Sequence, residues 1–507
     1  MVTRTNKAIK GTSVSFLQYG LQIVLQAILM PLILKIAGRE TLGAYAILMQ
    51  VIGYGILLDL GFGAALGRYL AQAFGFDDNG VRFVQTFNIG RTFYLFTNLI
   101  FGLLVIIFSF YVNKFLLVDE RILAQARLSL YLYGLWIIIR TPLVIYNYNL
   151  NATQNMSASN LIAILGNASR LIFSLILVFM KAGLVGLISA NIIAEIVISG
   201  CSFMYFKKIF PIYKFGWGIR DWTLFKDMFV FGRRYWGVNV AGLLMFGTDN
   251  MIVGYLYGAA IASVYYTTKI PVFLLFQAIF KLSENASPAA NELFARKNFT
   301  ALHNAYFRLM RYSMLLVVPL ALGIISMNRL LVSVWVSPQQ YAGDLMTISC
   351  AIFAIAAVFN NVNATIVVVF NNIRDWSTVS IVSGIAGLLL ALLLGKSLGF
   401  QGVAVSIVLT CLPSLIFLLR RSMQSLRINF AQLWKEVYKP TIISSIPIAI
   451  LTIIIKYYQV TPSVRALFML TGLYVIFWII GVYSFGINDK ERNTINHYLQ
   501  LKFAGNI

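Results

Sequence analysis

Apolar runs of about 20 residues recur along this chain, beginning near Val14 and continuing to about Phe485. An α-helix needs about 20 apolar residues to cross the hydrocarbon core of a bilayer. Hydrophobic residues make up 59 % of the chain and charged residues 11 %, with a mean hydropathy of +0.81. No soluble domain is expected between the runs. The sequence therefore predicts an all-α polytopic membrane protein.

The run lengths predict fourteen transmembrane helices. Their approximate bounds are 12–36, 41–73, 84–112, 124–150, 158–180, 184–206, 228–257, 261–285, 304–327, 345–371, 376–396, 401–423, 440–457 and 464–486. The stretch around Pro271 is compatible either with one long helix or with an interruption at the proline. Gly63 and Gly67, four residues apart, predict a close approach between helices.

Lys and Arg accumulate in the segments 207–234, 296–311 and 420–439. Because basic residues favour cytoplasmic loops, this bias predicts that both termini are cytoplasmic. Basic loops of this kind face anionic lipid headgroups. The net charge of +23 is therefore expected without any nucleic-acid partner.

The chain contains an internal repeat. KIAGRETLGAY at 35–45 aligns with YLYGAAIASVY at 255–265, an offset of 220 residues. GLVGL at 183–187 aligns with GFQGV at 399–403, an offset of 216 residues. Two separate anchors thus agree within a few residues, which is the mark of a duplicated unit.

Each repeat contains six predicted helices, an even number, so both repeats enter the membrane in the same direction. We expect an N-lobe at 1–215, a C-lobe at 216–427, and two additional helices with a cytoplasmic tail at 428–507. Two parallel six-helix lobes enclose a cavity that rocking can open alternately to either side. This architecture is typical of a transporter.

The motifs narrow the class. GRETLGAYAILMQVIGYGILLDLGFGAALGRYLAQAF (38–74) and TDNMIVGYLYGAAIASVYY (248–266) resemble the polysaccharide transporter family. This family is the O-antigen flippase-like branch of the multidrug, oligosaccharidyl-lipid and polysaccharide exporter superfamily. The chain departs from the pattern at Asn250, where the family suggests Arg, and at Ser263, where it suggests Gly. The resemblance covers residues 1 to about 425.

The resemblance implies a MATE-like exporter fold and a flippase for isoprenoid (undecaprenyl) diphosphate-linked oligosaccharide. Such a protein lies in the bacterial inner membrane, moves its substrate from the cytoplasmic to the outer leaflet, and works beside polysaccharide polymerase machinery. Within the superfamily, a cation-coupled multidrug antiporter is the main alternative. A membrane glycan polymerase is a weaker alternative, because every predicted outer connection is short.

Two arginines, Arg140 and Arg170, fall near the midpoints of neighbouring predicted helices. Each costs about 2.5–3.5 kcal/mol at the bilayer centre on insertion scales, so something must offset them. One answer is an ion pair with Glu195 or Asp59. The other is that the guanidinium groups face a watery cavity and bind the diphosphate, whose geometry they match. The two answers are compatible.

Further candidate residues follow from the same reasoning. The repeat offsets leave the second lobe without these arginines, and Lys269 is its candidate cation for the diphosphate. An ammonium that extends toward the outer membrane surface is the alternative for Lys269. Asp59, Glu195 and Asp249 are candidates for ion coupling or charge pairing. Amides and tyrosines are concentrated at two helix ends, and interfacial capping is the first explanation for them. The other is a glycan vestibule formed by Tyr146, Asn147, Tyr148, Asn149, Asn363 and Asn371.

We expect no enzyme activity and no cofactor. The chain has only two histidines, both predicted to be cytoplasmic, and no nucleotide-binding glycine loop. No spacing of metal ligands is present, so no metal site is predicted.

Overall fold

The computed structural model describes residues 2–74, 80–153, 155–211, 215–370, 372–458, 460–489, 491–493 and 496. These residues form helices and connecting turns and, within the described ranges, no strand. The helices are α1 Val2–Ile36, α2 Arg39–Gly53, α3 Phe62–Phe74, α4 Val81–Tyr111, α5 Glu120–Ala152, α6 Met156–Phe179, α7 Gly183–Ile209, α8 Trp222–Phe246, α9 Asp249–Tyr257, α10 Ala259–Ala295, α11 Phe299–Trp335, α12 Asp344–Val369, α13 Ile373–Ser397, α14 Phe400–Leu426, α15 Phe430–Leu433, α16 Lys439–Tyr458 and α17 Val464–Gly481.

Thirteen helices within the described residues are long and apolar enough to cross a membrane. The predicted fold class, an all-α polytopic membrane protein, is confirmed. The structure has thirteen such spans in the described residues, one fewer than the fourteen predicted. The seventh predicted helix, 228–257, is broken at Gly247 and Thr248 into α8 and α9. Neither piece has both the length and the hydropathy of a span.

The second predicted helix, 41–73, is also broken. A short 3₁₀ turn at Tyr54–Leu57 follows α2, and α3 begins only at Phe62. Leu60 and Gly61 both adopt positive φ, 50° and 72°, which interrupts the helical hydrogen bonding. At Gly61 the backbone also approaches the Gly232 carbonyl of α8 so closely that a Cβ atom would overlap with it. The break therefore lets α3 pack directly against α8.

The expected close approach at Gly63 and Gly67 is only partly present. Gly63 faces the Tyr94 hydroxyl and the Tyr148 ring, whereas a Cβ at Gly67 would meet nothing within 4 Å. The glycine contact between helices is made at Gly61 instead. Near Pro271 the open question resolves to a single helix, since α10 continues through the proline.

The internal repeat is visible in the backbone. Gly38 precedes α2 with φ 88° and ψ 172°, and its repeat partner Gly258 precedes α10 with φ 83° and ψ 166°. The second anchor behaves alike, with Gly183 at φ 58° and Gly399 at φ 72°. Positive φ is easily adopted only by glycine. The repeat therefore preserves the residues that end one helix and start the next.

Contacts divide the chain into two compact units, and the first consists of Met1–Tyr266 with Ile373–Ser406. Aromatic side chains dominate one of its buried clusters. Phe87 stacks on Phe206 at 5.5 Å between ring centroids and lies 4.1 Å from the ring of Phe215. Phe62 stacks on Phe93 at 3.9 Å. This packing fixes α3, α4 and α7, which surround the candidate site.

The second unit consists of Thr267–Asn372 with Ile407–Ile507. Its additional helices α16 and α17 pack on α11, and hydrogen bonds connect the three helices. Tyr474 on α17 bonds to Ser326 of α11 at 2.5 Å and to Thr452 of α16 at 2.8 Å. Trp478 donates its indole hydrogen to the Leu315 carbonyl at 2.9 Å. The lobes 1–215, 216–427 and 428–507 were defined by repeats rather than by contacts, and they stay a prediction.

Candidate functional site

Arg140 on α5 is paired with Glu195 on α7. Two further groups of α5 donate hydrogen bonds to the same carboxylate: the Tyr133 hydroxyl at 2.6 Å and the Trp136 indole nitrogen at 2.7 Å. Residues 133, 136 and 140 lie on one face of a helix because they are spaced by three and four positions. The ion pair considered from the sequence is therefore present for Arg140.

The ion pair is only partly buried. The Arg140 side chain is 23 % exposed and the Glu195 side chain 26 %. Arg140 also keeps a buried Nε hydrogen that has no acceptor in the structure. Glu195 has two neutral donors besides Arg140, so its charge stays hydrogen-bonded even when the guanidinium turns away. The ion pair with Glu195 therefore holds Arg140 in place while its Nε hydrogen is still available for another hydrogen bond.

Arg140 lines a polar cavity of about 450 Å³ in the first unit. Ligand sites usually occupy roughly 300–1,000 Å³. The polar side chains of the cavity come from three helices, α4, α5 and α8, and from the turn before α3: Asp59, Tyr94, Thr97, Asn98, Tyr133, Arg140, Tyr148 and Asn239. The cavity thus combines one cation, one carboxylate, amides and tyrosine rings.

Asp59 faces the same cavity but has no arginine partner among the described residues. Its carboxylate accepts a hydrogen bond from the Tyr94 hydroxyl at 2.6 Å and one from the Gly63 amide at 3.2 Å. Tyr94 in turn stacks on Tyr148, with ring centroids 5.4 Å apart and planes 10° apart. Asp59 is therefore an acid that is held by neutral groups beside an aromatic platform.

The four α5 residues of the predicted glycan vestibule lie on different faces of the helix, so they have different environments. Tyr148 lines the cavity, because it lies eight residues after Arg140 on the same face, and Asn147 is exposed. Tyr146 is 6 % exposed and packs against Phe87, while Asn149 is fully buried and donates to the Ile145 carbonyl at 2.8 Å. In this conformation only Tyr148 and Asn147 are available to a ligand.

In the second unit, Asn363 is fully buried. Its side-chain oxygen accepts the Tyr306 hydroxyl hydrogen at 3.0 Å, and its amide nitrogen donates to the Phe359 carbonyl at 2.9 Å. Both polar atoms of the Asn363 side chain are therefore hydrogen-bonded within the protein in this conformation. Asn371 lies outside the described residues.

Arg170 on α6 lines a different cavity from Arg140. Its Nη2 donates to the Asn167 side-chain oxygen at 3.0 Å. The cavity beside it has a volume of only about 20 Å³. The two arginines lie on neighbouring helices, and α5 and α6 turn them toward separate cavities.

Two other predicted residues are not among the residues that line the 450 Å³ cavity. Asp249, at the start of α9, is 2 % exposed and accepts a hydrogen bond from the Gln50 side chain of α2 at 2.7 Å. The Gln50 oxygen accepts the Met251 amide hydrogen at 3.0 Å. Lys269 belongs to the second unit, where its ammonium lies 5.5 Å from the centre of the Phe273 ring.

The cavity also contains residues that the sequence did not single out: Tyr94, Asn98 and Asn239. Asn98 keeps a buried amide hydrogen without a partner. A single asparagine in an apolar run shows no pattern that marks it as a cavity residue. The sequence therefore could not identify Asn98 and Asn239. Tyr133 and Trp136 did have one, since their spacing places them on the Arg140 face. In the described ranges, no group of three His, Cys, Asp or Glu residues could hold a metal ion.

Comparisons with known proteins place the chain in a family. The family model described as polysaccharide biosynthesis protein matches residues 35–342. No curated protein matches the chain.

Solved structures share the fold. The lipid II flippase MurJ in its inward closed conformation is similar over 94 % of this chain and 98 % of its own, with a TM-score of 0.66 and 14 % identity. A multidrug resistance MATE family transporter of the MOP superfamily, inward-facing, is similar over 83 % of this chain and 98 % of its own, with a TM-score of 0.60 and 15 % identity. An outward-facing structure of such a transporter covers 83 % of this chain and 95 % of its own, with a TM-score of 0.57 and 16 % identity.

The resemblance seen in the sequence is thereby confirmed. The family model covers more than half of the chain, and the similar structures come from MATE transporters and MurJ. The chain is a multi-pass membrane protein with the exporter fold, and it belongs to the polysaccharide biosynthesis protein family.

Proposed function

We propose that this protein is a flippase that moves an isoprenoid (undecaprenyl) diphosphate-linked oligosaccharide from the cytoplasmic to the outer leaflet of a bacterial inner membrane. The family match and the exporter fold support the class of protein. The proposal includes cytoplasmic termini, a neighbouring polysaccharide polymerase machinery, alternating access and no enzymatic activity.

The single observation that carries the proposal is the placement of Arg140. It lines a polar cavity of ligand size while its charge is held by Glu195. A planar guanidinium forms two parallel hydrogen bonds with a phosphate and keeps its charge at any physiological pH. A diphosphate entering the cavity therefore meets a cation that is already oriented and partly desolvated.

The exchange step follows from the hydrogen bonds around Glu195. When a diphosphate draws Arg140 away, the Tyr133 hydroxyl and the Trp136 indole still donate to the carboxylate. An unpaired buried carboxylate is costly, but one with two donors is less so. Substrate and Glu195 then compete for Arg140, and release of the substrate restores the ion pair.

The rest of the cavity suits the sugar next to the diphosphate. Tyr148 presents an aromatic face, and Asn98 and Asn239 offer amide groups to hydroxyls. Asn98 has an amide hydrogen that is unused in the structure. A few placed polar groups within an otherwise apolar lining are the usual means of orienting a ligand.

The test is translocation in proteoliposomes. The purified full-length protein is reconstituted with a fluorescent undecaprenyl-diphosphate oligosaccharide, and outward movement is measured by quenching of the exposed label. For Arg140→Gln we expect a rate lower by about tenfold or more, since a hydrogen bond to a charged group is worth roughly 1.5–3 kcal/mol. Arg140→Lys should recover part of the rate, because it restores charge without the planar fork.

Arg121→Gln is the matched control. Arg121 lies on the same helix α5 but is exposed, so the same loss of charge should leave the rate unchanged. Equal rates for wild type and Arg140→Gln, at matched amounts of folded protein, would contradict a role in diphosphate binding.

A cation-coupled multidrug antiporter is the second candidate, and Asp59 favours it. In the 450 Å³ cavity Arg140 is already neutralised by Glu195, which leaves the Asp59 carboxylate as an acid that an organic cation could approach. This candidate predicts uptake of a lipophilic cation driven by a proton or sodium gradient, lost in Asp59→Asn, with no movement of the lipid-linked oligosaccharide. The two assays together separate the two functions.

A further inference from the structure

Arg170 carries a fixed charge in α6, within the span 157–179. Its hydrogen bond to Asn167 joins it to a neutral amide one turn earlier on the same helix. No carboxylate lies within ion-pair distance of Arg170 in the part of the chain that the structure describes. Its Nε atom is buried without a hydrogen-bond partner. Arg170 thus differs from Arg140, whose charge is balanced by Glu195.

The space beside Arg170, called the Arg170 pocket here, is small and is lined by apolar side chains together with a few polar ones. Its volume of about 20 Å³ is close to the roughly 10–15 Å³ that one water molecule requires. A diphosphate, with two tetrahedral groups, needs far more room than this. The Arg170 pocket has room for one water molecule or one ion of similar size.

The polar groups that reach the Arg170 pocket are hydrogen-bond donors or can act as donors. Besides Arg170 they are Gln26 of α1, Tyr45 of α2, Ser174 of α6 and Tyr266 of α10. They therefore converge from four helices, and the remaining lining is aliphatic.

The existing hydrogen bonds leave some of these donors available. The Tyr45 oxygen accepts the side-chain amide hydrogen of Asn191 at 3.2 Å, so its own hydroxyl hydrogen can point elsewhere. Ser174 is 2 % exposed and lies one turn after Arg170 on the same face of α6. A permanent cation with two hydroxyl donors and no acid is the chemical environment of an anion.

We propose that the Arg170 pocket binds one small monovalent anion of the size of chloride, held by Arg170 with the hydroxyls of Tyr45 and Ser174. The anion supplies the negative charge that no carboxylate supplies in the described chain. It is a fixed component of the membrane domain and not the transported substrate. This site is independent of the proposed flippase activity, which uses Arg140.

The experiment measures chloride binding directly. Full-length protein in phosphatidylcholine nanodiscs is titrated with radioactive chloride against a background of gluconate at constant ionic strength. We expect saturable binding of one chloride per chain. Arg170→Gln should remove it, whereas Arg140→Gln, which removes an identical charge from the other cavity, should retain it.

Two additional measurements cover the case in which Arg170→Gln fails to fold. Ser174→Ala keeps the cation and removes one donor, so we expect chloride affinity to fall several-fold, in line with the loss of one charge-assisted hydrogen bond. Bromide should compete with chloride, and inorganic diphosphate should not, because of its size.

Several results would overturn the proposal. Absence of saturable chloride binding in the wild type means that the pocket holds only water. Loss of binding in Arg140→Gln together with retention in Arg170→Gln places the anion in the larger cavity. Competition by inorganic diphosphate shows that the pocket opens to larger anions and is not a site for a small monovalent one.

Discussion

Tyr94 on α4 donates its hydroxyl hydrogen to the Asp59 carboxylate at 2.6 Å while its ring stacks on Tyr148 at 5.4 Å. The hydroxyl orients the acid and the ring builds the aromatic face of the cavity. One side chain thus connects the charged part of the site to the part suited to a sugar.

Tyr94→Phe should separate these two roles. The ring stays stacked on Tyr148, but Asp59 loses a charge-assisted donor worth roughly 1.5–3 kcal/mol at most, and less where water enters the cavity to replace it. We expect a reduced rate of oligosaccharide translocation in proteoliposomes with a small decrease in the unfolding temperature. Tyr148→Phe, which keeps both rings, is the control for the stack. A Tyr94→Phe protein that transports at the wild-type rate would show that the hydrogen bond to Asp59 is dispensable.

Glu195→Gln should destabilise the protein because it leaves Arg140 without an opposite charge. Breaking a fully buried ion pair costs about 3–5 kcal/mol. Both side chains here are about a quarter exposed, so we expect a smaller loss, on the order of 1–3 kcal/mol. Thermal unfolding in nanodiscs measures it.

The same pair gives a sharper test in the double variant. Because Arg140→Gln removes the charge that Glu195→Gln leaves unpaired, the double variant should be more stable than the sum of the two single losses predicts. Strict additivity of the three unfolding measurements would mean that the two side chains do not interact in the folded protein.

Gly61→Ala should prevent α3 from reaching α8. Gly61 has φ 72°, and a Cβ there would overlap with the Gly232 carbonyl, so an added methyl group strains the backbone and separates the helices. We expect a markedly lower yield of folded protein, measured by size-exclusion chromatography in detergent. Gly67→Ala is the matched control on α3, since nothing lies within 4 Å of its Cβ position. A normal yield for Gly61→Ala would contradict the close contact.

Glu491→Gln should loosen the C-terminal segment of the second unit. Glu491 pairs with Arg311 of α11 at 2.5 Å and accepts the Tyr312 hydroxyl at 2.6 Å. The side chains of Arg311 and Glu491 are 7 % and 16 % exposed, so the loss should approach the roughly 3 kcal/mol typical of broken buried pairs. Limited proteolysis and thermal unfolding report it.

The nearby Asp489→Asn is the control for that experiment. Its side chain is 93 % exposed, and its ion pair with Arg492 is 3.5 Å long. An exposed pair of this kind contributes little, so the variant should behave as wild type. Equal proteolysis of the Glu491→Gln and Asp489→Asn proteins would show that the Arg311 contact does not anchor the segment.

Much of the fold was predictable because its causes are local. The length and hydropathy of each run set its helix, and Gly38 with Gly258 could be paired because both must adopt positive φ where one helix ends and the next begins. The breaks before α3 and between α8 and α9 were not predicted. The break before α3 accompanies the close approach of Gly61 to Gly232, a contact between residues distant in the sequence.

The sequence by itself determined that this chain is a membrane-spanning helical bundle of the exporter type, with two arginines that required a partner. The tertiary structure decided which partner each has. Glu195 pairs with Arg140, whereas Arg170 turns to a separate small pocket. Tyr148 reaches the cavity while its neighbour Asn149 is buried. The physical reason is that a helix can rotate about its axis without any change in its hydropathy, and only packing against neighbouring helices fixes which face meets the cavity.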